Sequence, residues 1–196
     1  MLMSCNEKDI SLIGFMGCGK SSVGKILATL LPECRLIDLD TYIEEKQGKN
    51  IPEIFNEYGE AAFRRMEREA LEEIFSDKSR PRAILSLGGG TVTSGQCRQL
   101  IRRHTDCFYL RATTDTLLDN LEGHSDGRPM LNPTQPVEAQ STETSSKREA
   151  LRHRIESLMQ TRSPQYLATA HHIIDIDGLS VAQIAEAVED NILNIK

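Results

Sequence analysis

The eight residues Gly14-Phe15-Met16-Gly17-Cys18-Gly19-Lys20-Ser21 constrain this chain more than any other stretch. They match G-x-x-x-x-G-K-[ST], the pattern of a glycine-rich loop that wraps the phosphates of ATP or GTP. Glycine lets such a loop turn successive N–H groups toward an anion at close range. On this reading Gly17, Cys18, Gly19, Lys20, Ser21 and Ser22 bind the nucleotide, with Lys20 reaching the β- and γ-phosphates and Ser21 offering its hydroxyl to Mg²⁺. Ile10, Leu12 and Ile13 before the loop read as a short buried strand, and Val23, Ile26, Leu27, Leu30 and Leu31 after it recur at helical spacing. Strand, loop and helix, with the helix's positive end at the phosphates, is the setting the motif requires.

A chain of 196 residues is long enough for one well-buried domain and short for two. Its net charge of −6 argues against a general nucleic-acid binder while leaving room for a local basic pocket. No run of 18 apolar residues occurs, and the first nine residues lack both a basic start and an apolar core. Neither a membrane span nor a secretory signal is therefore expected, and the reading is a cytoplasmic monomer acting on small molecules. The five cysteines are odd in number and show no C-x-x-C spacing, which suggests neither a disulfide framework nor a zinc site. Cys18 has two readings: a thiol made oxidisable by backbone donors and a nearby lysine, or a small filler beside two glycines.

Further along, Arg35-Leu36-Ile37-Asp38-Leu39-Asp40 reads as a second strand ending in two carboxylates, which period-2 alternation puts on one face. Ligands collect beyond the carboxyl ends of strands in an open α/β sheet, so the pair is placed to meet the phosphate loop. One carboxylate suits Mg²⁺ and the other suits accepting a substrate proton; the competing reading is helix-capping residues before Thr41. Apolar spacing from Ile51 to Phe75 predicts two helices joined at Gly59. The second helix carries Phe63-Arg64-Arg65-Met66-Glu67, where Arg64 or Arg65 offers a planar fork to an acidic substrate unless both belong to a solvated face. Ala83 to Leu87 is a third strand, followed at once by Gly88-Gly89-Gly90, a candidate ligand wall. Helical spacing through Cys97, Leu100 and Ile101, a strand at Cys107–Leu110 and a short helix from Asp115 to Leu121 complete this half.

Glu122 to Leu131 is polar and glycine-containing, with Arg128 before a proline. It reads either as a surface loop or as a segment closing over nucleotide and bringing Arg128 to the transferring phosphoryl group. Asn132 to Lys147 has the composition of a linker or disordered insertion. A helix with Leu151, Ile155, Leu158 and Met159 inward should follow. Arg162 comes just before a break marked by Pro164, and either points into the pocket or caps a helix end. His171 to Ile176 is a last strand and Val181 to Ile192 a last helix. The adjacent His171 and His172 face opposite sides, which disfavours a shared metal site.

Taken together, the phosphate loop, Asp38-Leu39-Asp40, Phe63-Arg64-Arg65-Met66-Glu67, Leu87-Gly88-Gly89-Gly90, Arg128-Pro129-Met130-Leu131 and Arg162-Ser163-Pro164-Gln165-Tyr166 resemble the shikimate kinase family in order and spacing over roughly residues 10–176. The resemblance implies a three-layer α/β fold like that of the nucleoside monophosphate kinases: a five-stranded parallel sheet flanked by helices, a substrate-binding helical region and a lid near residues 122–147. It also implies transfer of the ATP γ-phosphate, with Mg²⁺, to the 3-hydroxyl of shikimate. Carried over by position, Asp40 binds the ring hydroxyls and serves as base or orienting group, and Lys20 and Arg128 act on the transferring phosphoryl. Asp38 stands with Ser21 on the Mg²⁺ side. Arg64 and Arg162 clamp the substrate carboxylate, and Gly88, Gly89 and Gly90 contact the substrate through backbone. The sequence departs from the family at Glu122, where a basic residue beside adenine is usual, and over 132–147. The rival readings are another small-metabolite kinase, such as a gluconate kinase, and a nucleotide-dependent switch. The switch lacks the N-K-x-D motif that reads guanine.

Overall fold

The structure, a computed structural model, describes residues 8–122 and 143–194. Five strands form one parallel sheet: β1 Asp9–Ile13, β2 Arg35–Asp38, β3 Ala83–Ser86, β4 Thr105–Arg111 and β5 His172–Asp175, in the order β2-β3-β1-β4-β5. β1 is central, pairing Ile10 with Ile84 on one side and with Asp106 on the other. Four of its five residues are buried, as a strand covered on both faces demands. Between the strands run α1 Lys20–Leu30, α2 Leu39–Gln47, α3 Ile51–Ser76, α4 Gly95–His104, α5 Thr114–Leu121, α6 Glu143–Thr169 and α7 Val181–Asn194. One core, around Leu12, Val23, Phe108, Leu118 and Val188, fills the layer beneath α1, α5 and α7; another, around Ile43, Leu71, Leu85, Ile101 and Tyr166, fills the layer beneath α2, α3 and α4. The expected three-layer fold is the one observed, and no helix among the described residues is long and apolar enough to cross a membrane.

α3 contains the expected joint: Gly59 adopts φ 74° and ψ 170°, a conformation that ends one helical run and starts the next. Asn50 and Glu53 close a reciprocal capping box at its start.

Three expectations need correction. β2 ends at Asp38, so Asp38 and Asp40 do not alternate along a strand; Asp38 caps α2 and Asp40 lies in its first turn. No break follows Arg162, because α6 continues through Pro164 to Thr169. Proline removes the N–H that would have reached the Gln160 carbonyl. Burial of Arg162 and Tyr166 on either side of it keeps the turn in place. The linker expected over 132–147 overlaps α6, whose first turn begins at Glu143; the rest of the lid expected from 123 onward lies outside the described residues.

Candidate active site

The phosphate loop leaves β1 and enters α1 through Gly17 and Gly19, both at φ 85°, where a side chain would be strained. Lys20, the first residue of α1, is 9% exposed and lays Nζ back along the loop, donating to the Gly14 and Phe15 carbonyls at 2.9 Å each. Ser21 donates to Asp38 Oδ2 at 2.6 Å and lies 3.1 Å from Ser86 Oγ. The other Asp38 oxygen accepts from the backbone N–H of Asp40 at 3.2 Å and of Thr41 at 3.4 Å. The capping reading of Asp38 holds: one oxygen starts α2, and the other meets the loop serine. A carboxylate and two hydroxyls at the mouth of a phosphate loop form an all-oxygen donor set that fits a hard divalent cation such as Mg²⁺.

These groups share a cavity of about 370 Å³ with Met16, Ser22, Asp40, Gly88, Gly89 and Asn120. Asp40 has its carboxyl pushed up to about 6, first by burial, then by the charges of Glu67 and Asp38, against the opposing pull of Lys20.

On α3, Arg64 is half-buried while Arg65 is exposed. Arg64 donates to Glu67 at 2.7 Å and to Glu60 at 3.0 Å, and its buried Nε has no partner. A Cβ on Gly90 would sit 2.2 Å from Arg64 Nη2, so a side chain there would displace the guanidinium. Arg162, on α6, is 3% exposed, stands 5.8 Å over the Phe15 ring and donates to the Gly89 carbonyl at 3.4 Å. Among the described residues no carboxylate forms an ion pair with it. Burial lowers its pKa, and the neighbouring Arg64 charge acts in the same direction. Arg162, with no carboxylate at ion-pair distance although the charges of Glu60 and Glu67 reach it, leaves a guanidinium fork suited to an added carboxylate.

Residues 16–193 match the family model described as shikimate kinase. The chain belongs to the shikimate kinase family. A shikimate kinase from Thermus thermophilus is 34% identical over 183 residues, covering 93% of this chain and 89% of the relative. One from Chlorobaculum tepidum is 38% identical over 187 residues, covering 93% and 91%. Among solved structures, the shikimate kinase from Acinetobacter baumannii in complex with shikimate superposes with a TM-score of 0.80 at 29% identity, over 97% of this chain and 96% of that one.

Within this shikimate kinase fold, Gly17, Gly19, Lys20, Ser21, Ser22, Asp38, Asp40, Gly88 and Gly89 line one cavity; Arg162 adjoins it through the Phe15 ring and the Gly89 carbonyl, and Arg64 stands beside Gly90. The Cys18 thiol is 1% exposed and packed in the core, as a filler would be, and it accepts from Lys20 Nζ at 3.7 Å. Arg128 lies outside the described residues. Glu122 closes the end of α5 and pairs with Arg148 of α6, which also reaches Asp119 at 2.8 Å.

Sequence reasoning assigned no role to three residues that help build the site. Glu67 is fully buried and accepts from Arg64 and from Thr91. Its i, i+3 spacing from Arg64 on one helix face was a usable signal. Asn120 donates to the Gly17 carbonyl at 2.9 Å, and Ser86 meets Ser21; neither lies in a motif that marks it.

Proposed function

We propose that this protein transfers the γ-phosphate of ATP to the 3-hydroxyl of shikimate, giving shikimate 3-phosphate and ADP. The observation that carries the reading is Arg162: a buried guanidinium near Arg64, with no carboxylate of the described chain in ion-pair contact with it, set over Phe15 of the phosphate loop and bonded to the carbonyl of Gly89, which lines the cavity with Asp40. A small acid carrying a hydroxyl satisfies both ends of that arrangement, with its carboxylate toward the arginines and its hydroxyl toward Asp40.

In this reading the backbone of Gly17, Cys18 and Gly19, with Lys20, Ser21 and Ser22, holds the triphosphate. Ser21 and Asp38 hold Mg²⁺, which supplies charge neutralisation to the phosphate oxygens. Asp40 orients the acceptor hydroxyl and takes its proton; a carboxyl near 6 is largely ionised at pH 7.5, yet a better base than an ordinary aspartate. Arg64 and Arg162 fix the acceptor's carboxylate while the backbone of Gly88, Gly89 and Gly90 walls its ring. Arg128 takes the lid-arginine role by its sequence position. Phosphoryl transfer asks for this kind of positioning and charge placement more than for covalent help. The enzyme is proposed to work as a cytoplasmic monomer.

The deciding experiment is a substrate screen with purified protein, ATP and Mg²⁺. ADP should form in proportion to added shikimate, and little should form with gluconate or with nucleoside monophosphates. ADP release indifferent to shikimate would overturn the assignment.

A further inference from the structure

Two side chains of α6 converge on one carbonyl. Arg162 and Tyr166 stand four residues apart on the same helix face, and both donate to the Gly89 oxygen, Arg162 at 3.4 Å and Tyr166 at 2.5 Å. The tyrosine therefore makes the close bond and the arginine a long one. Tyr166 is fully buried, with its ring stacked on Tyr109 of β4 at 4.9 Å and 22° between planes. This packing fixes where its hydroxyl can point. Burial also raises its pKa above the ordinary phenol value, which keeps the proton on oxygen and the group a donor.

The bonded carbonyl belongs to the peptide joining Gly89 to Gly90. That peptide is planar and trans, so a carbonyl turned toward α6 turns the Gly90 N–H the opposite way. The Gly90 N–H meets no acceptor among the described residues. Gly90 is a buried residue, and its unpaired N–H is free to donate to a bound ligand.

We propose that Tyr166 is a positioning residue for the acceptor half of the reaction. Its hydroxyl holds the Gly89 carbonyl, which aims the Gly90 N–H at the bound acid and leaves the Arg162 fork free for the acid's carboxylate. The proposal rests on the shikimate reading above. Without the phenolic oxygen, Arg162 is the remaining donor to that carbonyl, and closing its 3.4 Å contact draws the guanidinium away from the acceptor.

The test is Tyr166→Phe, which removes one oxygen and keeps the ring stack. Tyr109→Phe, which takes a hydroxyl from the stacked partner without touching Gly89, is the control. Wild-type ADP formation is measured first; if it does not depend on shikimate, the function reading fails and this proposal falls with it. With that dependence in hand, Tyr166→Phe should raise the KM for shikimate about tenfold, change kcat by less than about threefold and leave the ATP dissociation constant without shikimate unchanged. Tyr109→Phe should hold the shikimate KM within about twofold. The proposal is overturned, with the function reading intact, if Tyr166→Phe keeps a wild-type shikimate KM. It is equally overturned if ATP binding weakens as much as shikimate binding, if Tyr109→Phe gives the same KM rise, or if Tyr166→Phe loses cooperative melting, since each marks a merely structural role.

Discussion

Asp40 and Glu67 face each other across Gly88: a Cβ on that glycine would lie 2.9 Å from Asp40 Oδ1 and 3.1 Å from Glu67 Oε1. A buried carboxylate and a half-buried one this close resist holding two charges. Burial raises both carboxyls; Arg64 and Thr91 offset part of this at Glu67, while at Asp40 the Glu67 charge adds to burial and the carboxyl is raised to about 6.

If Asp40 is the base, kcat/KM should fall about tenfold per pH unit below roughly pH 6. Asp40→Asn should lower kcat by orders of magnitude while ATP still binds. A pH profile flat down to pH 5 would remove Asp40 from the role.

The same shift bears on stability. Between pH 3.8 and about 6 the folded protein holds a proton on Asp40 that the unfolded chain has released. This group's contribution to stability is therefore greatest at low pH and is lost as pH rises through 6. At pH 8 the ionised Asp40 is a cost, and Asp40→Asn should stabilise the protein by about 2 kcal/mol, with no comparable gain at pH 4. Denaturant titrations of the two proteins at both pH values check the sign.

Arg64 and Arg162 should part company on stability. Both Arg64→Ala and Arg162→Ala should raise the KM for shikimate by roughly 10- to 100-fold, the worth of a charge-assisted contact. Arg64→Ala also strands the buried Glu67 and should lower stability by about 3 kcal/mol. Arg162 has no carboxylate partner to strand, and its removal relieves repulsion with Arg64. Equal stability losses in the two variants would contradict this assignment.

Asp38 serves a helix and, in the proposed site, a metal, and two substitutions separate the jobs. Asn is as good an N-cap as Asp, so Asp38→Asn should leave the melting temperature nearly unchanged while raising the Mg²⁺ concentration needed for half-maximal rate. Asp38→Ala should lose the metal effect and about 1 kcal/mol of stability as well. Titrating Mg²⁺ after chelation, alongside thermal melts, distinguishes the two.

Gly90→Ala places a methyl group within 2.2 Å of Arg64 Nη2. The guanidinium must move, so shikimate affinity should fall at least tenfold while ATP affinity holds. Isothermal titration with each ligand separately reads both.

What the sequence determined by itself was local. Spacing within a few residues encodes the phosphate loop, the helical faces and the joint at Gly59, because loop geometry and helix periodicity are properties of neighbouring residues. It misplaced Asp40 because a D-x-D reads equally well as a strand end or as a cap with a first helical turn. The side-chain bond from Asp38 to the Asp40 and Thr41 N–H groups decides for the cap. It expected a break at Pro164 because helix propensity counts the missing N–H, whereas burial of Arg162 and Tyr166 outweighs it. Tertiary structure alone decided which groups meet. Parallel crossovers bring Tyr166 to Gly89 across 77 residues, set Glu67 under Asp40 and put Arg162 beside Arg64. The Asp40 pKa, the unpaired Arg162 and the aimed Gly90 peptide arise from those meetings. Burial and charge proximity depend on distances through space, which spacing along the chain does not carry.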